Sequence, residues 1–176
     1  MIQTLLLIIT AIFVGLLGLS AAVHLFFLVP YVPSAKKTVK RLLELAELRP
    51  GMTLMDLGCG DGRVVVEAAK HEGVKAIGFE IAPLMYLMAL INNLFTGRRA
   101  DIRFENIFNA DLHSADIIIC YLFPGAMARL DEKIKKECKK GTVIISNTFS
   151  FPGRDPVSIL PADPHNRMPK VYSYRV

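Results

Sequence analysis

The run Thr53-Leu54-Met55-Asp56-Leu57-Gly58-Cys59-Gly60-Asp61-Gly62-Arg63 narrows the fold more than any other stretch of the chain. An apolar strand carries a carboxylate near its end, glycines follow at every second position, and a helix is predicted from Arg63 to about Lys70. Glycine has no Cβ, so the loop backbone can take positive φ and lie close against a ligand. The helix that follows leaves its first amides free to face whatever sits over the loop. Strand, glycine loop and helix in that order form the first unit of an open α/β sheet, with a nucleotide-type ligand cradled at the carboxyl end of the strand.

The residues of the loop select among such ligands. In the dinucleotide fingerprint G-x-G-x-x-G/A, aligned on Gly58 and Gly60, the third small residue would fall on Arg63, which is too bulky for close helix–strand packing around a pyrophosphate. No Lys-Ser/Thr pair closes the loop, so it is not a P-loop. What remains is D-x-G-x-G-x-G. S-adenosylmethionine bears an ammonium and a sulfonium and no phosphate, and the Asp56 carboxylate suits that charge while it would repel a phosphate. The loop residues expected at the cofactor are Asp56, Gly58, Cys59, Gly60 and Gly62. The next predicted strand, from Lys75, ends at Glu80, placed to accept hydrogen bonds from both ribose hydroxyls. A third, about Asp101 to Glu105, ends at Asn106, whose side-chain carbonyl can accept from the adenine amine.

Charge divides the chain into two environments. Hydrophobic residues make up 52%, and the net charge is +5. Residues 1–35 contain no Asp, Glu, Lys or Arg; the 21 basic and 16 acidic side chains all follow Ala35. Leu5 to Val29 is a nearly continuous apolar run, broken by Thr10, Ser20, His24 and small residues. About 26 helical residues at ~1.5 Å each reach ~39 Å, more than the ~30 Å hydrocarbon core of a bilayer. A signal peptide would have a basic start and a shorter apolar core, whereas this chain opens Met1-Ile2-Gln3-Thr4. Pro30 and Pro33 end the helix, and His24 falls near its interfacial end. Lys36, Lys37, Lys40 and Arg41 follow the span and no positive side chain precedes it. The positive-inside rule then places the rest of the chain on the cytoplasmic side. The lipid bilayer is thus an expected partner. The domain boundaries expected are 1–30 for a transmembrane anchor, 31–50 for a juxtamembrane segment with an amphipathic helix over 36–48, and 51–176 for the globular domain.

The remaining elements alternate. Helices are predicted over about 84–95 and 126–138, strands over about 116–122 and 142–147. The last residues, Val171 to Val176, read as an alternating strand at an antiparallel edge. The run Ile117-Ile118-Ile119-Cys120 is apolar throughout, the mark of a central parallel strand. Such alternation predicts an α/β fold with a doubly wound, mostly parallel sheet preceded by the transmembrane helix. Cys59, Cys120 and Cys138 are odd in number and lack metal spacing, and the four histidines show no ligand pattern, so no metal is expected.

Residues 51–124 resemble the class I S-adenosylmethionine-dependent methyltransferases, a Rossmann-like family, with "MDLGCGDGR" for its first motif, "GFE" for its ribose motif and "ENIF" for its third, where Asp is more usual than Asn106. In that family the acceptor meets the methyl group beyond the fourth strand, which implies roles for Tyr121, Phe123 and Pro124 in positioning the acceptor. The Asn-Pro-Pro-Tyr of many nucleic-acid and glutamine methyltransferases is absent there. Aromatic walls suit a methylammonium product through cation–π attraction. A closer resemblance, from residue 1 to about 153, is to the family of the ATP synthase c-subunit lysine methyltransferase: one apolar span, then Tyr31-Val32-Pro33-Ser34, then the glycine loop and Gly-x-Glu. It implies that Tyr31, Pro33 and Ser34 fold over the cofactor and that the partner is a lysine-bearing membrane protein. The chain departs from it at "ENIF" and "YLFPG". The expected function is a membrane-anchored protein-lysine N-methyltransferase; a quinone-type small-molecule methyltransferase and a non-catalytic cofactor-binding membrane module stay open. Dispersed or juxtamembrane lysines argue against nucleic acid as a partner.

Overall fold

The computed structural model describes residues 1–27, 33–97 and 99–176, with nothing described of the side chains of 23–27. The expectations for Pro30, Tyr31 and the His24 side chain lie outside the described residues. In chain order the elements are α1 (Ile2–Phe27), α2 (Lys36–Ala46), β1 (Thr53–Leu57), α3 (Arg63–Ala68), β2 (Lys75–Glu80), α4 (Pro83–Phe95), β3 (Asp101–Phe104), β4 (Ile117–Cys120), α5 (Pro124–Glu137), β5 (Val143–Asn147), β6 (Ser158–Leu160) and β7 (Val171–Arg175).

The strands form one sheet in the order β3-β2-β1-β4-β5-β7-β6. β1 to β5 run parallel, and β7 is antiparallel to both β5 and β6. Alternate residues of β1 face opposite layers, as the two-residue period of a strand requires. Leu54 packs with Leu42 of α2 and Val65 of α3 on one side, while Met55 and Leu57 pack with Met127 and Leu130 of α5 on the other. All four residues of β4 are buried, as a central strand covered on both faces must be. The chain leaves β3 at one edge and re-enters the sheet at β4, on the far side of β1. The crevice between the carboxyl ends of β1 and β4, where Asp56 lies opposite Ile119, is therefore the topological switch point.

Two expectations need correction. β7 is not an edge strand: the three residues of β6 cover it, and Val171 and Tyr174 are fully buried. A strand that short, in a proline-rich stretch, has no periodicity to read. α2 stops at Ala46 rather than 48, because Glu47 turns left-handed (φ 45°) and sends its amide back to the Glu44 carbonyl.

α1 is long and apolar enough to cross a membrane, and its described side chains, up to residue 22, are mostly exposed. It meets the domain at α4, where the buried Ser20 hydroxyl accepts the Leu84 amide at 2.8 Å. Pro83 opens α4. Leu84 is thus in its first turn, where an amide has no partner within the helix, and α1 supplies one.

Candidate functional site

The switch-point crevice opens into a cleft lined from β1, β2, β4 and β5 and from the segments before α2 and after β3. Asp56, Gly58, Cys59, Gly60, Glu80, Asn106, Pro33, Ser34, Tyr121 and Phe123 all line it. Gly62 and Pro124 are not among the lining residues. Gly62 sits beneath the loop at φ 79°, and a Cβ there would come within 3.0 Å of Ala89 on α4, so it lets the loop settle on that helix. Pro124 is the exposed first residue of α5.

The glycine loop is pinned from below. The amides of Gly58 and Cys59 both donate to the Phe79 carbonyl of β2, at 3.0 and 2.9 Å. Gly78, which the sequence marks only as part of the ribose motif, makes this possible. A Cβ on it would lie 2.9 Å from Cys59 Sγ and 3.0 Å from Val65 Cγ1. The Cys59 thiol is buried, and burial, then Asp56 and Glu80, push its pKa well above the ordinary value. It stays protonated, as does Cys120, pushed up to about 12 by burial. Both are packing residues rather than nucleophiles.

Asp56 forms the floor of the cleft. It is 4% exposed, and its Oδ2 has no hydrogen-bond partner among the described residues. Burial raises its pKa to about 7, with the Glu80 and Asp61 carboxylates adding to the rise. A buried polar atom without a partner is costly, and three carboxylates close together make a field that a cation relieves. An ammonium fits this site in both charge and hydrogen bonding.

Glu80 is engaged by the backbone. Its Oε2 accepts the Gly60 amide at 2.9 Å, and its Oε1 accepts the amides of Ile81 and Ala82 at 2.8 and 2.7 Å. The carboxylate locks the glycine loop to the turn that starts α4. A carboxylate has about four acceptor positions, so one remains for a ribose hydroxyl where the sequence suggested two. Asn106 closes its own turn: its Oδ1 accepts the Phe108 amide at 3.0 Å. One lone pair of that oxygen is left for an adenine amine.

Arg63 is a site element that sequence reasoning used only as an obstacle. Its Nε donates to Asp61 Oδ1 at 2.9 Å and its Nη1 to the Ser34 carbonyl at 2.5 Å. From the other side, Asn147 Nδ2 donates to Ser34 Oγ at 3.4 Å. The segment before α2 is therefore fastened across the cleft between the glycine loop and the end of β5.

Aromatic rings gather where β4 and β5 end. Tyr121 and Phe123 both pack on Phe149, with ring centroids 6.2 and 5.3 Å away. Thr148 turns left-handed at φ 72°, and the Ser146 hydroxyl bonds the Phe149 carbonyl at 2.6 Å. That turn aims Phe149 back at β4. A β-branched residue with positive φ is uncommon, and such strain concentrates at functional sites.

Among the described residues, Asp111, His113 and Glu137 bring potential metal-ligand atoms within 4.8 Å of one another. Each already has a protein partner: His113 bonds Asp111, and Glu137 takes the Leu112 amide and the Lys133 ammonium.

A parallel sheet with its switch point between β1 and β4, a glycine loop, and acceptors at three successive strand ends define a class I S-adenosylmethionine-dependent methyltransferase. The chain belongs to the family described as the ANTKMT methyltransferase domain, whose model matches residues 56–158. It is 37% identical over 150 residues to a protein-lysine N-methyltransferase of Saccharolobus islandicus (strain REY15A), across 83% of this chain and 92% of that protein. It is 30% identical over 125 residues to the ATP synthase c-subunit lysine N-methyltransferase of Xenopus laevis, across 70% of this chain but only 54% of that longer protein. Among solved structures it is similar to an RNA methyltransferase of Salinibacter ruber in complex with S-adenosyl-L-homocysteine, with a TM-score of 0.76 and 31% identity, over 82% of this chain and 94% of that one. The protein is thus an enzyme with S-adenosylmethionine as its cofactor.

Proposed function

We propose that this enzyme is a membrane-anchored protein-lysine N-methyltransferase whose acceptor is a lysine on a membrane or membrane-adjacent protein. The observation that carries the acceptor reading is the aromatic cluster at the ends of β4 and β5, where Tyr121 and Phe123 line the cleft and both pack on Phe149. Apolar walls strip water from an arriving lysine, which favours the neutral amine that can act as a nucleophile, and aromatic faces attract the methylammonium product. Its lysine-methylating relatives point the same way.

In this reading Asp56 holds the ammonium of the cofactor, Glu80 a ribose hydroxyl and Asn106 the adenine. Pro33 and Ser34 cover them. Gly58, Cys59 and Gly60 give the backbone its close approach. The bound cofactor supplies an electrophilic methyl group on a sulfonium. The chain's own contribution is position: Tyr121 and Phe123, braced by Phe149, hold the amine in line and exclude water, so no strong general base is needed for an acceptor that arrives neutral.

The S. ruber structure is described as an RNA methyltransferase. Here Asp56, Asp61, Glu80 and Glu105 line the cleft against Arg63, a balance that repels a phosphodiester backbone. Residues 1–30 serve as the anchor, 31–50 as the connecting strap and α2, and 51–176 as the catalytic domain on the cytoplasmic side.

The test is to incubate membranes from a strain lacking the enzyme with the purified full chain and radiolabelled S-adenosylmethionine. Label in protein, located on lysine by mass spectrometry, is expected. Label in lipid, small molecules or nucleic acid would replace this reading.

A further inference from the structure

α4 follows β2 and lines the cofactor cleft through Met85 on its inner side. Its outer side is unlike that of a helix facing water. Leu87, Met88, Leu90, Ile91, Leu94 and Phe95 are all exposed, Phe95 to 85%. They recur at the three- and four-residue steps that place side chains on one helical face. Phe104 of β3, also exposed, extends the patch through its contact with Tyr86, ring centroids 5.2 Å apart. From Ile81 to Gly97 the sequence has no Asp, Glu, Lys, Arg or His, and the next two residues in the sequence are Arg98 and Arg99.

This face is continuous with α1. The two helices pack together, and Ser20 of α1 caps the first turn of α4 through the Leu84 amide. We propose that the outer face of α4 is a second membrane contact, immersed in the acyl-chain boundary of the leaflet from which α1 emerges. The inference rests on reading α1 as the membrane anchor. An apolar helix face followed within a few residues of sequence by arginines is a pattern found at interfacial helices, where cations near the helix meet anionic head groups while its apolar side lies among the acyl chains. With α4 lying there, the cleft that Met85 lines opens at the depth of the head groups. An acceptor lysine close to the membrane surface is within its reach, and one on a distant soluble domain is not.

The chain has no Trp, so a single introduced indole reports on its own surroundings. The full chain is reconstituted in vesicles of phosphatidylcholine and phosphatidylglycerol, with or without brominated acyl chains. Three variants are compared: Phe13→Trp as the α1 probe, Phe95→Trp as the α4 probe, and Val157→Trp as a control, exposed beside β6 at the opposite edge of the sheet. Leu94→Trp repeats the measurement on the same α4 face if Phe95→Trp folds poorly by circular dichroism. The proposal expects brominated lipid to quench the α1 and α4 probes, with α4-probe emission shifted to the blue, and to leave the control unquenched. If the α1 probe is quenched while the α4 probe emits as in water, the anchor stands and the α4 contact is overturned. If the α4 probe is blue-shifted and shielded from iodide but untouched by brominated lipid, protein covers α4, and the proposal is again overturned. An unquenched α1 probe removes the anchor and this proposal with it.

Discussion

Asp56 has a buried oxygen without a partner among the described residues, with Glu80 and Asp61 nearby, and its proposed role at the cofactor predicts binding that depends on pH. Its pKa rises from 3.8 to about 7 on folding, chiefly through burial. Between those values the folded chain holds a proton that the unfolded chain has lost. The contribution of Asp56 to stability is therefore most favourable below about pH 4, declines as pH rises to about 7, and is flat above. On the proposed role of Asp56 at the cofactor's ammonium, binding runs the other way, because the cation pairs with the ionised form. Affinity for S-adenosylmethionine should climb from about pH 5.5 to about pH 7.5, and calorimetry in buffers of different ionisation enthalpy should show a proton released on binding near pH 6. Asp56→Asn should remove both signatures and weaken binding roughly ten- to a hundredfold, since a charge-assisted hydrogen bond contributes about 1.5–3 kcal/mol; an unchanged affinity would refute the assignment. Gly78→Ala forces a methyl group against Cys59 and Val65. It should cost about 1–3 kcal/mol of stability, read by urea denaturation, and should weaken cofactor binding because the loop shifts with Cys59.

Individual elements depend on ties that reach far along the chain. The segment before α2 stays over the cleft because Arg63 holds the Ser34 carbonyl while bonding Asp61. Arg63→Ala should raise the Kd for S-adenosylmethionine about tenfold, the scale of one charged hydrogen bond, with a smaller change in melting temperature; equal loss of both would make Arg63 a purely structural residue. The loop after β5 is fastened to α5 in a similar way. Arg154 Nε donates to the buried Asp131 at 2.7 Å, and Lys135 Nζ lies 2.8 Å from the other Asp131 oxygen. Asp131→Ala leaves the Arg154 guanidinium without its carboxylate in a largely buried place. It should lower the unfolding free energy by about 3 kcal/mol, measured by urea titration in detergent.

At the scale of the whole molecule, the proposed membrane contacts of α1 and α4 predict how the chain handles and which substrates it reaches. The full chain should need detergent to stay monodisperse, and size-exclusion chromatography showing a well-behaved monomer without it would count against the anchor. A tether raises the local concentration of membrane-borne acceptors without any new contact. With the proposed membrane-protein acceptor, moving its lysine to an isolated soluble peptide should therefore raise KM far more than it lowers kcat.

Local physics alone determined much of this protein. Short strands with Asp56, Glu80 and Asn106 at or just past their ends, glycines spaced for a cradle, and 35 leading residues without a charge all leave their mark within a few positions of one another, so the parallel part of the sheet, the cofactor and α1 could be read directly. Tertiary structure decided what depends on distant partners. It placed β6 over β7, bent the chain at Thr148 to bring Phe149 to Tyr121, engaged most of the Glu80 carboxylate with backbone amides, and joined Asn147 to Ser34 across 113 residues. Such contacts carry no period or composition in the sequence. They exist only where the fold has set two remote segments side by side, because hydrogen bonds and ring packing act over a few ångströms whatever the separation along the chain.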